Sequence, residues 1–144
     1  MGLDVYVRWE GMTEEEQKAQ ITGFKNAGEK GYLRKSWGSL DAWDSVFNKV
    51  FGISWTDCLM PDWEGFNGEK FDIQDDVRKY LEEKKAMLQK FIDNPKPPLD
   101  ESLRQYFSDG GWGDAQKIVS AECKHMVDFI DQALCKPGAM ILFS

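Results

Sequence analysis

Apolar and polar residues alternate strictly through the opening of the chain: Leu3, Val5, Val7 and Trp9 fall on one side, Asp4, Tyr6, Arg8 and Glu10 on the other. Successive side chains of an extended chain point to opposite faces, so this period of two predicts a strand over 3–9 with one apolar and one polar face. The period then changes. In "GMTEEEQ", Thr13 is placed to cap a helix and Glu16 to reach back to it, the pair that makes a capping box. That helix offers Ile21 and Phe24 as its main apolar contacts and ends at "NAGEKG", a surface helix by its pattern. The following "YLRKSW" reads as a second strand over 31–36.

Leu40, Trp43, Phe47, Val50 and Phe51 recur at helical spacing, with Ser39 or Asp41 as cap and Gly52 as stop. Residues 53–70 have no period and mix Gly, Pro and Asp with Trp55, Trp63 and Phe66, which predicts a long loop packed by its own aromatics. Asp72 reads as the start of the longest helix, with Ile73, Val77, Tyr80, Leu81, Leu88, Phe91 and Ile92 along one stripe. Its acids come first and its lysines later, the order the helix dipole favours. "NPKPP" stops it, because proline has no amide proton and forces the preceding residue out of the helical region. A short helix is expected around Leu99, Leu103, Tyr106 and Phe107. After "SDGGWGD", Asp114 is placed to cap a last helix carrying Val119, Cys123, Met126, Val127, Ile130 and Leu134. The terminal "AMILF" reads as a strand over 139–143 able to pair with the first. Together these elements predict an α+β fold, a small antiparallel sheet covered by about five helices, in a single domain over 1–144.

Composition bounds the function. With 144 residues, 42% hydrophobic and 30% charged, the chain is long and apolar enough to bury a core by itself. Eighteen Lys and Arg against 25 Asp and Glu leave a formal charge of -7. A nucleic-acid binder needs a basic footprint, and no Lys/Arg cluster here is free of neighbouring acids, so direct nucleic-acid binding is not expected. The acidity serves solubility first, and it would also attract a basic protein partner. No apolar run approaches the roughly 18 residues of a membrane span. Cys58, Cys123 and Cys135 are odd in number and irregular in spacing, which argues for reduced thiols and a cytoplasmic location.

Candidate chemistry is sparse. Nucleophilic catalysis needs an activating base, and the sole histidine, His125, lies two residues from Cys123, on a different helix face. Asp62, Glu64, Asn67, Glu69 and Asp72 supply oxygen ligands for a hard cation, but their register fails the calcium-loop pattern; a solvated acidic loop is the plainer reading and no cofactor is expected. The glycines of "SDGGWGD" permit a tight turn, with Trp112 at its tip placed as a contact anchor. Tyr6 and Arg8 on the first strand share a sheet face with Tyr32 and Arg34 on the second if the two pair in suitable register. Arg and Tyr together grip an acid and stack a ring, the chemistry for a nucleotide-like anion, although an antiparallel sheet commonly leaves one face simply wet.

Two of these segments carry a resemblance. "MGLDVYVRWEGMTEEE" and "GYLRKSW" at 31–37 resemble an uncharacterised group of small bacterial and phage-associated proteins that open with "MGLDVY" and carry a "GYLR" segment. The resemblance covers about the first 37 residues, implies a phage or prophage origin and brings no activity with it. Three functions are therefore expected, in this order. The first is a non-enzymatic protein that engages a protein partner through acidic and aromatic surface, with Trp55, Trp63 and Trp112 as contacts. The second is a pocket for a small anion at Tyr6, Arg8, Tyr32 and Arg34, and the third a divalent-metal enzyme built on the acids of 62–76.

Overall fold

Alternation at the N-terminus does produce a strand, β1 (Gly2–Arg8), whose Leu3, Val5 and Val7 are buried while the residues between them are half-exposed. The computed structural model describes residues 2–21, 26–60, 70–95 and 115–144, and the elements below lie within them. β1 pairs antiparallel with β2 (Tyr32–Ser36) on one side and with β4 (Met140–Phe143) on the other. β3 (Lys70–Asp72) joins the far edge of β4 and completes a four-stranded sheet in the order β2-β1-β4-β3. The expected C-terminal strand thus lies inside the sheet. β3 departs from the expected loop over 53–70: three residues are too few to show a period, and pairing with β4 holds them extended.

Four α-helices are described: α1 (Glu14–Gln20), α2 (Trp37–Phe51), α3 (Asp75–Asp93) and α4 (Ala115–Cys135). The Thr13/Glu16 capping box forms, each side chain meeting the other residue's amide at 3.1 Å. α2 begins earlier than its pattern suggested, because Ser36 at the end of β2 caps it by accepting from the Ser39 amide. α3 likewise begins at Asp75 rather than after Asp72, which is held in β3 opposite Met140. It ends at Asn94, before the prolines. The helix expected around Leu99 to Phe107 and the Asp114 cap lie outside the described residues.

Helices α2 and α4 pack on one face of the sheet, and α3 packs mainly along α4. The core between them joins Leu3, Val5, Val7, Leu33, Ile141 and Phe143 of the sheet to Phe47 and Val46 of α2 and to Met126, Phe129 and Ile130 of α4. Edge-on ring contacts run from Trp43 through Phe47 and Phe51 to Phe91, tying α2 to α3. Gln20 fastens the end of α1 to the sheet, donating to the carbonyls of Val7 and Lys30 at 2.9 and 2.8 Å. Just ahead of β2 the chain makes a 3-10 turn (Gly28–Lys30) against α4, so close that a Cβ on Gly28 would stand 2.0 Å from the His125 carbonyl oxygen. No helix among the described residues is long and apolar enough to cross a membrane.

Candidate functional site

The outer face of the sheet follows from register. Tyr6 lies opposite Tyr32 and Asp4 opposite Arg34, so Tyr6, Arg8, Tyr32 and Arg34 do share one face, as their spacing required. The adjacent strands bring Leu142 beside Tyr6 and Met140 beside Arg8, with Lys70 and Asp72 at the β3 edge.

Half of this cluster is closed on itself. Asp4 is the hub: its carboxylate accepts from Arg34 Nη1 at 2.7 and 2.9 Å and from the Tyr32 hydroxyl at 2.5 Å. Tyr32 retains only 2% of its surface, and its phenol is pushed up, first by burial and then by the bond to Asp4. The Arg34 guanidinium is in turn held further in its charged form by the bond to Asp4. These two residues are therefore engaged within the fold.

Arg8 and Tyr6 are different. The rings of Tyr6 and Tyr32 meet with centroids 5.2 Å apart, and the Arg8 guanidinium carbon lies 4.6 Å from the Tyr6 centroid. Burial raises the Tyr6 phenol, reinforced by Asp4 and opposed by the two arginines. Among the described residues, no carboxylate pairs with Arg8 and no acceptor meets its buried Nε. Glu10, two residues on, binds through its amide to the Pro137 carbonyl, with its side chain against Gly138. A guanidinium on a ring face is electrostatically favourable, yet an unmade buried N–H costs about 1–3 kcal/mol.

A second polar cluster lies on the opposite face, in the core. Lys35 follows Leu33 inward and meets Glu122 of α4 at 2.9 Å, with 6% and 5% of their side chains exposed. The same carboxylate accepts from the Trp55 indole at 3.0 Å and from Asn26 at 3.1 Å. The ammonium also sits 5.3 and 5.8 Å from the ring centres of Trp55 and Trp43. This corrects the expectation for Trp55: it is fully buried and serves as a hydrogen-bonded core residue, so it offers nothing to a partner. Trp63 and Trp112 lie outside the described residues. The cluster escaped the sequence reading although its signal was present, since placing Tyr32 and Arg34 outward places Lys35 inward, where it needs a carboxylate.

The other candidate chemistries gain little. Cys58 and Cys123 are buried, and desolvation pushes the Cys58 thiol up to about 12 and the Cys123 thiol up further. Such thiols are inert toward substrates in water. Asp62, Glu64, Asn67 and Glu69 lie outside the described residues; Asp72 borders an open hollow of about 720 Å³ with Gln74, Asp75, Asp76 and Val77. Among the described residues, no group of three or more His, Cys, Asp or Glu is placed to hold a metal ion. No protein-family model matches the chain, and no curated protein or solved structure matches it.

Proposed function

We propose that this chain is a binding protein, without catalysis of its own, whose outer sheet face takes an anionic group at Arg8. One observation carries the reading: Arg8 is half-buried and, among the described residues, has neither a carboxylate partner nor an acceptor for its buried Nε. Buried polar groups are nearly always paired, and an unpaired one calls for a physical reason, of which a missing ion is one. The neighbouring Arg34, already closed on Asp4, supplies the internal contrast of a satisfied guanidinium on the same face. An acid arriving at Arg8 gains charge-assisted hydrogen bonds to the guanidinium. The Tyr6 ring face lies 4.6 Å from the guanidinium carbon and adds a cation–π contact.

The reading is tested by thermal denaturation in acetate, phosphate and larger carboxylates at constant ionic strength, with the unaltered protein and Arg8→Gln side by side. An anion at 100 times its dissociation constant adds about 2.7 kcal/mol. That is about 8 °C for a chain of this size. Stabilisation that Arg8→Gln removes is the expected result. Equal stabilisation of both proteins, or none of either, refutes it.

A further inference from the structure

Resting on the reading above, we infer that the occupant at Arg8 is a small monocarboxylic acid with a compact apolar body, its carboxylate on the Arg8 guanidinium and its body across Met140 and Leu142. The sheet register places these groups. Met140 is the cross-strand neighbour of Arg8, and Leu142 that of Tyr6, so two half-buried aliphatic side chains stand one strand, about 5 Å, from the cation and the ring. An isolated solvated arginine needs no such neighbours. Here the surface beside the cation is apolar on the β4 side and aromatic along β1. A ligand that covers it gains burial as well as charge pairing.

The charges around the patch set the ligand's own charge. Asp72 and Lys70 lie one strand beyond Met140 and Leu142 on the same face and offset each other, and Asp4, beyond Tyr6 along β1, is spent on Arg34. Arg8 is then the cation left over beside the apolar surface, and with a chain charge of -7 it matches one negative head while each further charge lacks a counterpart there. A dianionic phosphate ester or a polyanionic strand is disfavoured by the same arrangement that favours a monocarboxylate. Tyr32 and Arg34 add no second anchor, since Asp4 already occupies both.

The experiment is an NMR titration of the whole chain with benzoate, cyclohexanecarboxylate, benzamide, acetate and inorganic phosphate. The two larger carboxylates are expected to shift the amides of 6–8 and 140–142, and to bind about tenfold more tightly than the neutral benzamide. Acetate, lacking the body, is expected to bind about tenfold more weakly as well. Arg8→Gln and Met140→Glu, which sets an internal carboxylate beside the cation, are each expected to abolish the shifts. Acetate or phosphate binding as tightly as benzoate in an Arg8-dependent way overturns this inference and leaves the anion site standing. Binding of none of the acids, or equal binding to Arg8→Gln, overturns both. The comparison of the five probes uses the unaltered protein, so it decides the matter even if a variant fails to fold.

Discussion

Replacing Glu122 by Leu removes one carboxylate and strands three donors. Lys35 Nζ at 2.9 Å, Trp55 Nε1 at 3.0 Å and Asn26 Nδ2 at 3.1 Å all depend on it. The ammonium, 6% exposed, would keep only the Arg34 carbonyl at 3.2 Å, the Asn26 carboxamide oxygen at 3.4 Å and two ring faces. Breaking one side of a buried ion pair costs about 3–5 kcal/mol because the remaining charge is left uncompensated. At about 3 °C for each kcal/mol, Glu122→Leu is expected to lower Tm by about 9–15 °C. The double change Lys35→Met with Glu122→Leu behaves otherwise. It removes both charges, keeps the volume and leaves two neutral donors, each worth about 1 kcal/mol, so it should cost about 2 kcal/mol. Urea unfolding followed by circular dichroism gives all four corners of the cycle, with an expected coupling of at least about 2 kcal/mol. A loss under about 1 kcal/mol for Glu122→Leu, or a double variant as damaged as the sum of the singles, would refute the reasoning.

Four further outcomes are expected. Gly28→Ala drives a Cβ into the His125 carbonyl and should cost about 1–3 kcal/mol by calorimetry, whereas an unchanged Tm would mean that the 3-10 turn does not sit against α4. Exposed Cys135 should react with a thiol reagent in the folded protein, while buried Cys58 and Cys123 should react only on unfolding. The pH dependence follows: the Cys58 thiol, ordinarily at 9.0, is raised to about 12, so the unfolded chain deprotonates first. Its contribution to stability is full below pH 9 and is lost as pH rises toward 12; Cys58→Ala should flatten that fall, and an unaltered slope would contradict it. Asp4→Asn should lower the titration of the Tyr32 phenol, read by ultraviolet absorbance, without restoring it fully, because burial is the larger cause and remains. The same change should cost about 1–3 kcal/mol, because it weakens the bonds to two mostly buried donors.

Much of this protein was determined locally. The period of two through Leu3, Val5 and Val7, the Thr13/Glu16 box and the prolines after Asn94 each act over a few residues of backbone geometry, and each formed where the sequence places it. The same holds for the shared face of Tyr6, Arg8, Tyr32 and Arg34, since the alternation of two paired strands leaves few registers. Tertiary structure alone decided which charges are spent. Asp4 meets Arg34 across 30 positions, Lys35 meets Glu122 across 87, and Trp55 reaches the same carboxylate across 67. Strand phase could say that Lys35 faces inward, and helix phase that Glu122 lies on the stripe of Val119, Cys123 and Met126. Neither could say that the two meet, because a side chain's partner is chosen by which elements pack together and a local pattern carries no record of that. β3 is held by pairing rather than propensity for the same reason. Trp55 shows the limit most plainly. Its loop sequence suggested an exposed contact, and one buried carboxylate on a distant helix made it part of the core.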